Sequence, residues 1–237
     1  MKDREDRRFT APAFTEGFYE YKVNEDGTAV IVRYHGKDGG DSAVPSSLGG
    51  HPVTAVGSYA YSDCGGLTTV TIPDGVTFIG DYAFHCCGSL KSITIPSSVT
   101  AIGDVAFSEC CSLTSVTIPD GVSSVGASSF SRCRSLTSVT ISAGVTAIGV
   151  WAFSRCRSLT SLTISDGVQV IGMGAFAGCD SLTSVTIPES VASIGEMAFV
   201  TCPRLTLSVS KGSCAEQYCK KNKLTFRYPD RLDGPGI

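Results

Sequence analysis

Apolar and polar positions in this chain recur in register from residue 57 to residue 205. Within one unit, Leu113-Thr-Ser-Val116-Thr-Ile118 alternates, so Val116 and Ile118 share one face and Ser115 and Thr117 the other, as a short strand requires. Pro119-Asp120-Gly121 then supplies a turn, Val122 and Val125 return apolar side chains inward, and Gly126 permits a tight backbone approach. The pair Ala106-Phe107, repeated as Ala83-Phe84 and Ala152-Phe153, fills the interior at the back. The period is 23 residues, marked by Gly57, Gly80, Gly103, Gly126, Gly149, Gly172 and Gly195. Leucines from Leu67 to Leu205 and cysteines from Cys64 to Cys202 share the spacing. No single unit can bury its apolar face, so stability must come from stacking, with parallel strands about 4.8 Å apart.

A fixed period of this length, carrying L-x-x-V-x-I on one strand per unit, predicts a leucine-rich repeat solenoid. The expected architecture is mainly β, with a short 3-10 or helical back wall and about seven to eight right-handed coils. The ends depart from the period. Residues 1–15 read as a charged leader. Residues 16–56 hold a β-hairpin cap, with Tyr19, Tyr21 and Val23 opposite Val30, Val32 and Tyr34 around Asn24–Gly27, and an atypical first repeat with Gly49-Gly-His-Pro52 inserted. The solenoid proper covers 57–210. A cap over 211–228 combines a helix, opened by the capping box Ser213-Cys-Ala-Glu216, with a strand at Leu224–Tyr228, and 229–237 is a tail.

The unit resembles the BspA-like, or treponemal-type, leucine-rich repeats, whose consensus is close to AFxxCxSLTSVTIPxxVxxIGxx. Ala106 to Val125 reproduces that consensus nearly letter for letter, and the likeness extends over roughly residues 44–210. Departures are small: Ser142 and Ser165 stand for the turn proline, and Ser129 for the alanine before Phe130. The resemblance implies a surface or secreted protein of a host-associated bacterium that adheres to matrix, host cells or other microbes. The opening MKDREDRRFTAP lacks an apolar signal core, which points instead to a cytoplasmic protein or a trimmed leader.

Charge and cysteine usage narrow the function classes. A formal net charge of −3 argues against nucleic-acid binding, which needs a basic field. No apolar run is long enough for membrane insertion. Of eleven cysteines, seven occupy one repeat position, where a thiol acts as a small buried hydrophobe. Cys86, Cys111, Cys214 and Cys219 fall outside that column, and their redox state is open. His85, Cys86, Cys87, Cys110 and Cys111 lie on adjacent coils but lack the turn-borne CxxC spacing of a zinc site, so no metal or other cofactor is expected.

Enzyme signatures are absent. His35, His51 and His85 have no nearby nucleophile and carboxylate, and Ser208-Val-Ser-Lys211 lacks the companions of an SxxK motif. Gly172-Met-Gly174 with Gly178 has the outline of a dinucleotide loop, but Gly172 is the repeat glycine. The expected function is therefore a monomeric, non-enzymatic module for a protein or glycan ligand, with a structural spacer or intracellular scaffold as alternatives. Three surfaces are candidates. Thr94, Thr117, Thr140, Thr163 and Thr186 line the concave strand face as a Ser/Thr ladder. Arg132, Arg134, Arg155 and Arg157 flank the cysteine column on two adjacent coils and form one cationic patch suited to carboxylate, sulfate or phosphate. Trp151, the sole tryptophan, occupies a variable outward position beside those arginines, a hot-spot composition.

Overall fold

The computed structural model describes residues 13–36 and 39–229. It is a β-solenoid of about nine turns, more than the seven to eight read from the repeats because both caps stack in line with them. Each turn has three sides. The L-x-x-V-x-I strands, extended at the two ends by Gly40–Ala43 and Phe226–Arg227 of the caps, form the first, in three successive three-stranded segments. Ser115–Ile118, Ser138–Ile141 and Ser161–Ile164 run parallel in perfect register, so that Val116 sits beside Val139 and Thr117 beside Thr140.

Each turn also carries a second strand, which the sequence pattern does not announce. The two residues before each repeat glycine, such as Ala101–Ile102, Ser124–Val125 and Ala147–Ile148, pair in parallel with their equivalents. Together with the N-terminal hairpin they build an eleven-stranded sheet. Two residues per strand are too few for any alternation to register in the sequence.

The third side also differs from expectation, being a run of turns instead of 3-10 helix. Two residues per turn take left-handed backbone, for example Tyr82 and Cys86 (φ 56° and 58°) or Trp151 and Arg155 (φ 57° and 59°). This reverses alternate peptide groups. The N–H groups of Ala83 and His85 bond inside their own turn, to Gly80 and Tyr82, whereas those of Tyr82, Phe84 and Cys86 reach Asp104, Ala106 and Ser108 of the next. A continuous 3-10 segment would spend every amide internally and leave neighbouring turns unbonded on this side.

Between the walls lies one aromatic stack. Tyr34, Tyr61, Phe84, Phe107, Phe130, Phe153, Phe176 and Phe199 follow one another with ring centroids 4.8 to 5.5 Å apart and small interplanar angles. Tyr218 of the terminal helix closes it edge-on.

The hairpin cap forms from Tyr19–Val23 and Ala29–Tyr34. Phe14–Glu16, of which Phe14 and Thr15 read as leader, adds a third antiparallel strand, with the Phe14 ring against Tyr21. The rest of the expected leader, residues 1–12, and tail residues 230–237 lie outside the described residues. The inserted Gly49-Gly50, both with positive φ, turns Ser47–Leu48 back onto His51–Val56.

At the other end, the helix Cys214–Asn222 is capped by Ser213, whose hydroxyl accepts from the Glu216 N–H. Glu216 binds Lys220 at 2.6 Å, accepts from the Tyr228 hydroxyl at 2.7 Å and takes the Gly212 N–H. The Lys220 ammonium, followed by the Gly212 amide and the Tyr228 hydroxyl, holds this carboxyl down to about 2, against an ordinary value of 4.5. A folded value below the unfolded one makes the cap's stabilisation complete above about pH 4.5 and lost as pH falls towards 2. Helix-end amide exchange should therefore accelerate over that window, and Glu216→Gln should flatten the acid dependence.

Candidate functional site

Of the Ser/Thr ladder, Thr94, Thr117, Thr163 and Thr186 are exposed and Thr140 is half-buried. Thr117, Thr140 and Thr163 lie side by side, Thr94 pairs with Thr71, and Thr186 with Ser208. Because its strands pair in three segments, backbone pairing along the ladder breaks between Thr94 and Thr117 and between Thr163 and Thr186.

Two of the four arginines are paired within the chain. Arg132 binds Glu109 of the preceding turn at 2.7 Å, and Arg157 lies 3.6 Å from Asp180 of the following one. Stacking places position i beside i+23, so a carboxylate one turn away in the same column neutralises each of these two. Among the described residues Arg134 and Arg155 have no ion-pair partner. Arg132 and Arg155 occupy a left-handed column on one side of the cysteines, and Arg134 and Arg157 the column on the other side.

Trp151 belongs with the first pair. The column that runs Tyr59, Tyr82, Val105, Ser128, Trp151 continues with Gly174, and the column Asp63, Cys86, Glu109, Arg132, Arg155 continues with Gly178. Ala177 likewise stands where the two preceding turns carry Ser131 and Ser154. One turn thus has glycine in two of these columns and a buried alanine in the third. The indole of Trp151 covers Gly174 so closely that a Cβ there would lie 2.1 Å from its ring, while the atoms nearest a Cβ at Gly178 belong to Arg155, at 3.5 Å or more. The result is an open depression of about 410 Å³. Its lining includes Trp151, Arg132, Arg155, Ser128, Gly178 and the Ser131–Ser154 hydroxyl pair, whose oxygens are 2.8 Å apart. Motif reasoning passes over Gly174 and Gly178 as accidents of the repeat. The signal lies in the columns, where other turns bear side chains.

Residues 50–159 and 100–218 match the BspA type Leucine rich repeat region, in six copies. The chain belongs to this family. A solved leucine-rich repeat protein of T. pallidum is 30% identical, with a TM-score of 0.75 over 92% of this chain and 99% of that one. Another, from Bacteroides ovatus, is also 30% identical with a TM-score of 0.75, over 83% of this chain and 52% of that one. The pneumococcal vaccine antigen PcpA shares the fold at 24% identity and a TM-score of 0.58, over 86% of this chain and 51% of that one. A comparison with curated proteins returns no match. Among the described residues no helix is long and apolar enough to cross a membrane.

In these BspA-type turns the cysteine column does more than fill space. Cys110, Cys133 and Cys156 each donate their thiol to the carbonyl of the phenylalanine one turn back, Phe84, Phe107 and Phe130, at 3.2 Å. That carbonyl already accepts an amide inside its turn, as Phe107 does from Cys110, so the thiol occupies the second lone pair of a buried oxygen. Burial pushes the Cys156 thiol up to about 12, which keeps it protonated as a donor. All the cysteines are free. Cys87 and Cys110 point into the core, Cys86 lies 3.2 Å from His85 Nε2, and Cys111 faces the Arg132 carbonyl at 3.8 Å. Among the described residues no three side chains gather as a metal site.

Proposed function

We propose that this chain is a non-enzymatic recognition module that holds a protein or glycan ligand on a rigid repeat surface, within a bacterial surface protein engaged in adhesion or host contact. Family membership supports the surface setting. The observation that carries recognition is where variation falls: the inward rows stay constant along the solenoid, whereas the outward columns break together at Trp151, Arg155, Gly174 and Gly178. A spacer needs no such local departure. Local contacts also occupy the histidines, His35 with Glu20 at 3.4 Å, His51 with the Gly27 carbonyl at 2.8 Å, and His85 with Cys86. The thiol beside His85 is not activated, since burial and then Glu109 and Asp63 raise it.

The test is a binding screen of the immobilised chain against matrix proteins and a glycan panel. Parent, Trp151→Ala and a Thr117→Ala/Thr140→Ala/Thr163→Ala variant are compared at equal melting temperature. The expected result is a partner retained by the threonine variant and lost by Trp151→Ala. No partner at all favours the spacer, and loss only in the threonine variant moves the site to the strand face.

A further inference from the structure

We propose that the depression bounded by Trp151, Arg155 and Gly178 binds a single carboxylated sugar residue at the end of a glycan. This rests on the recognition reading above and names the ligand class for the same surface. Size is the first reason. At about 410 Å³ the depression falls within the range of small-molecule sites, suited to one ring with its substituents.

Charge is the second. Arg132 and Arg157 each have a carboxylate one turn away, but the residue that follows Arg155 in its column is Gly178. The Arg155 guanidinium therefore has no counter-charge among the described residues, and its planar fork matches a carboxylate bidentately. Because Glu109 already neutralises Arg132, the rim carries an excess of one positive charge, which fits a singly charged sugar better than a polyanion.

The remaining lining suits a sugar ring. The Ser131 and Ser154 hydroxyls lie 2.8 Å apart and can exchange hydrogen bonds with neighbouring ring hydroxyls. The indole, held by the absence of a side chain at Gly174, offers a rigid aromatic face with a polar edge. A peptide is disfavoured by the backbone. Trp151, Phe153 and Arg155 already give their N–H groups to Met173, Ala175 and Ala177, so this wall has no open rungs for an added strand.

The chain holds one tryptophan, so its emission reports this site directly. Titration with sialyllactose or a glucuronate-terminated disaccharide should give a saturable change that weakens with salt, while lactose gives none and a sulfated disaccharide a weaker one. Arg155→Gln should reduce affinity about tenfold or more. Gly178→Asp should do the same, because it reproduces in this column the pairing of Glu109 with Arg132 and gives Arg155 an internal partner. The left-handed backbone at 178 (φ 72°) tolerates aspartate, and melting temperature checks the fold. Arg134→Gln, outside the depression, should bind as the parent does. No saturable response to either acidic saccharide, equal response to lactose or the sulfated disaccharide, or parental affinity in Gly178→Asp would overturn the assignment. A protein partner or neutral glycan lost in Trp151→Ala, without acidic-sugar binding, would sink this ligand class and leave the recognition reading standing.

Discussion

Phe130→Ala is expected to cost about 3–5 kcal/mol of folding stability, against about 0.5 kcal/mol or less for Thr140→Ser on the outer face of the same turn. Phe130 is wholly buried, with its ring stacked between Phe107 at 5.0 Å and Phe153 at 5.2 Å. Truncation removes its own transfer energy and also leaves a cavity shared by two interfaces. Surrounding side chains cannot collapse into it, because the backbone turns are pinned by Phe107 N–H to Ser129 and Phe130 N–H to Ala152. In a solenoid, stability is close to a sum over nearest-neighbour contacts, so the loss should also broaden the denaturation transition by uncoupling the two halves. Equal denaturant midpoints for the two variants would refute the burial argument.

The inward rows are legible in the sequence because each buried position is occupied alike in every turn: Phe107, Val116, Ile118 and Leu113 announce themselves by recurrence and alternation. Three features are not. The left-handed residues escape because the fold tolerates almost any side chain there, from Val105 to Trp151, and composition therefore carries no glycine signal. The thiol hydrogen bonds escape because a buried cysteine reads as a hydrophobe until the position of the Phe107 carbonyl is known. The depression escapes because it is made by what Gly174, Ala177 and Gly178 leave out. A missing side chain is informative only after its neighbours in the adjacent turn are placed, and that placement depends on which outward columns share a side of the coil. The arginines illustrate the same limit: the cluster is visible, but its division into paired and unpaired members requires knowing that Glu109 stacks on Arg132 and Asp180 on Arg157.

The same substitution at two glycines should separate close approach from mere flexibility. Gly126→Ala is expected to destabilise the chain by about 1–3 kcal/mol or more, the cost of overpacking a rigid site. Its Cβ would lie 2.4 Å from the Gly103 oxygen, 2.5 Å from the Gly103 carbonyl carbon and 2.8 Å from the Asp104 nitrogen, all of them backbone atoms. No rotamer change relieves such a contact, so the turns must part. Gly149, Gly172 and Gly195 have backbone neighbours equally close, which makes the column the line along which successive turns touch. Gly126 is not among the residues with positive φ, so the demand for glycine here is spatial and not torsional. Gly88 is also outside the left-handed region, and a methyl group there would have nothing within 4 Å. Gly88→Ala should therefore be neutral or stabilising by up to about 1 kcal/mol through the unfolded chain. Hydrogen exchange locates the damage. In Gly126→Ala the amides of Val105, Phe107 and Glu109, which bond to Ala127, Ser129 and Ser131 across that seam, should lose protection. Tyr59 and Tyr61, bonded to Asp81 and Ala83 two seams away, should keep theirs. Matching stability losses at Gly126 and Gly88, or uniform loss of protection along the solenoid, would mean that backbone contact along this column does not set the spacing of the turns.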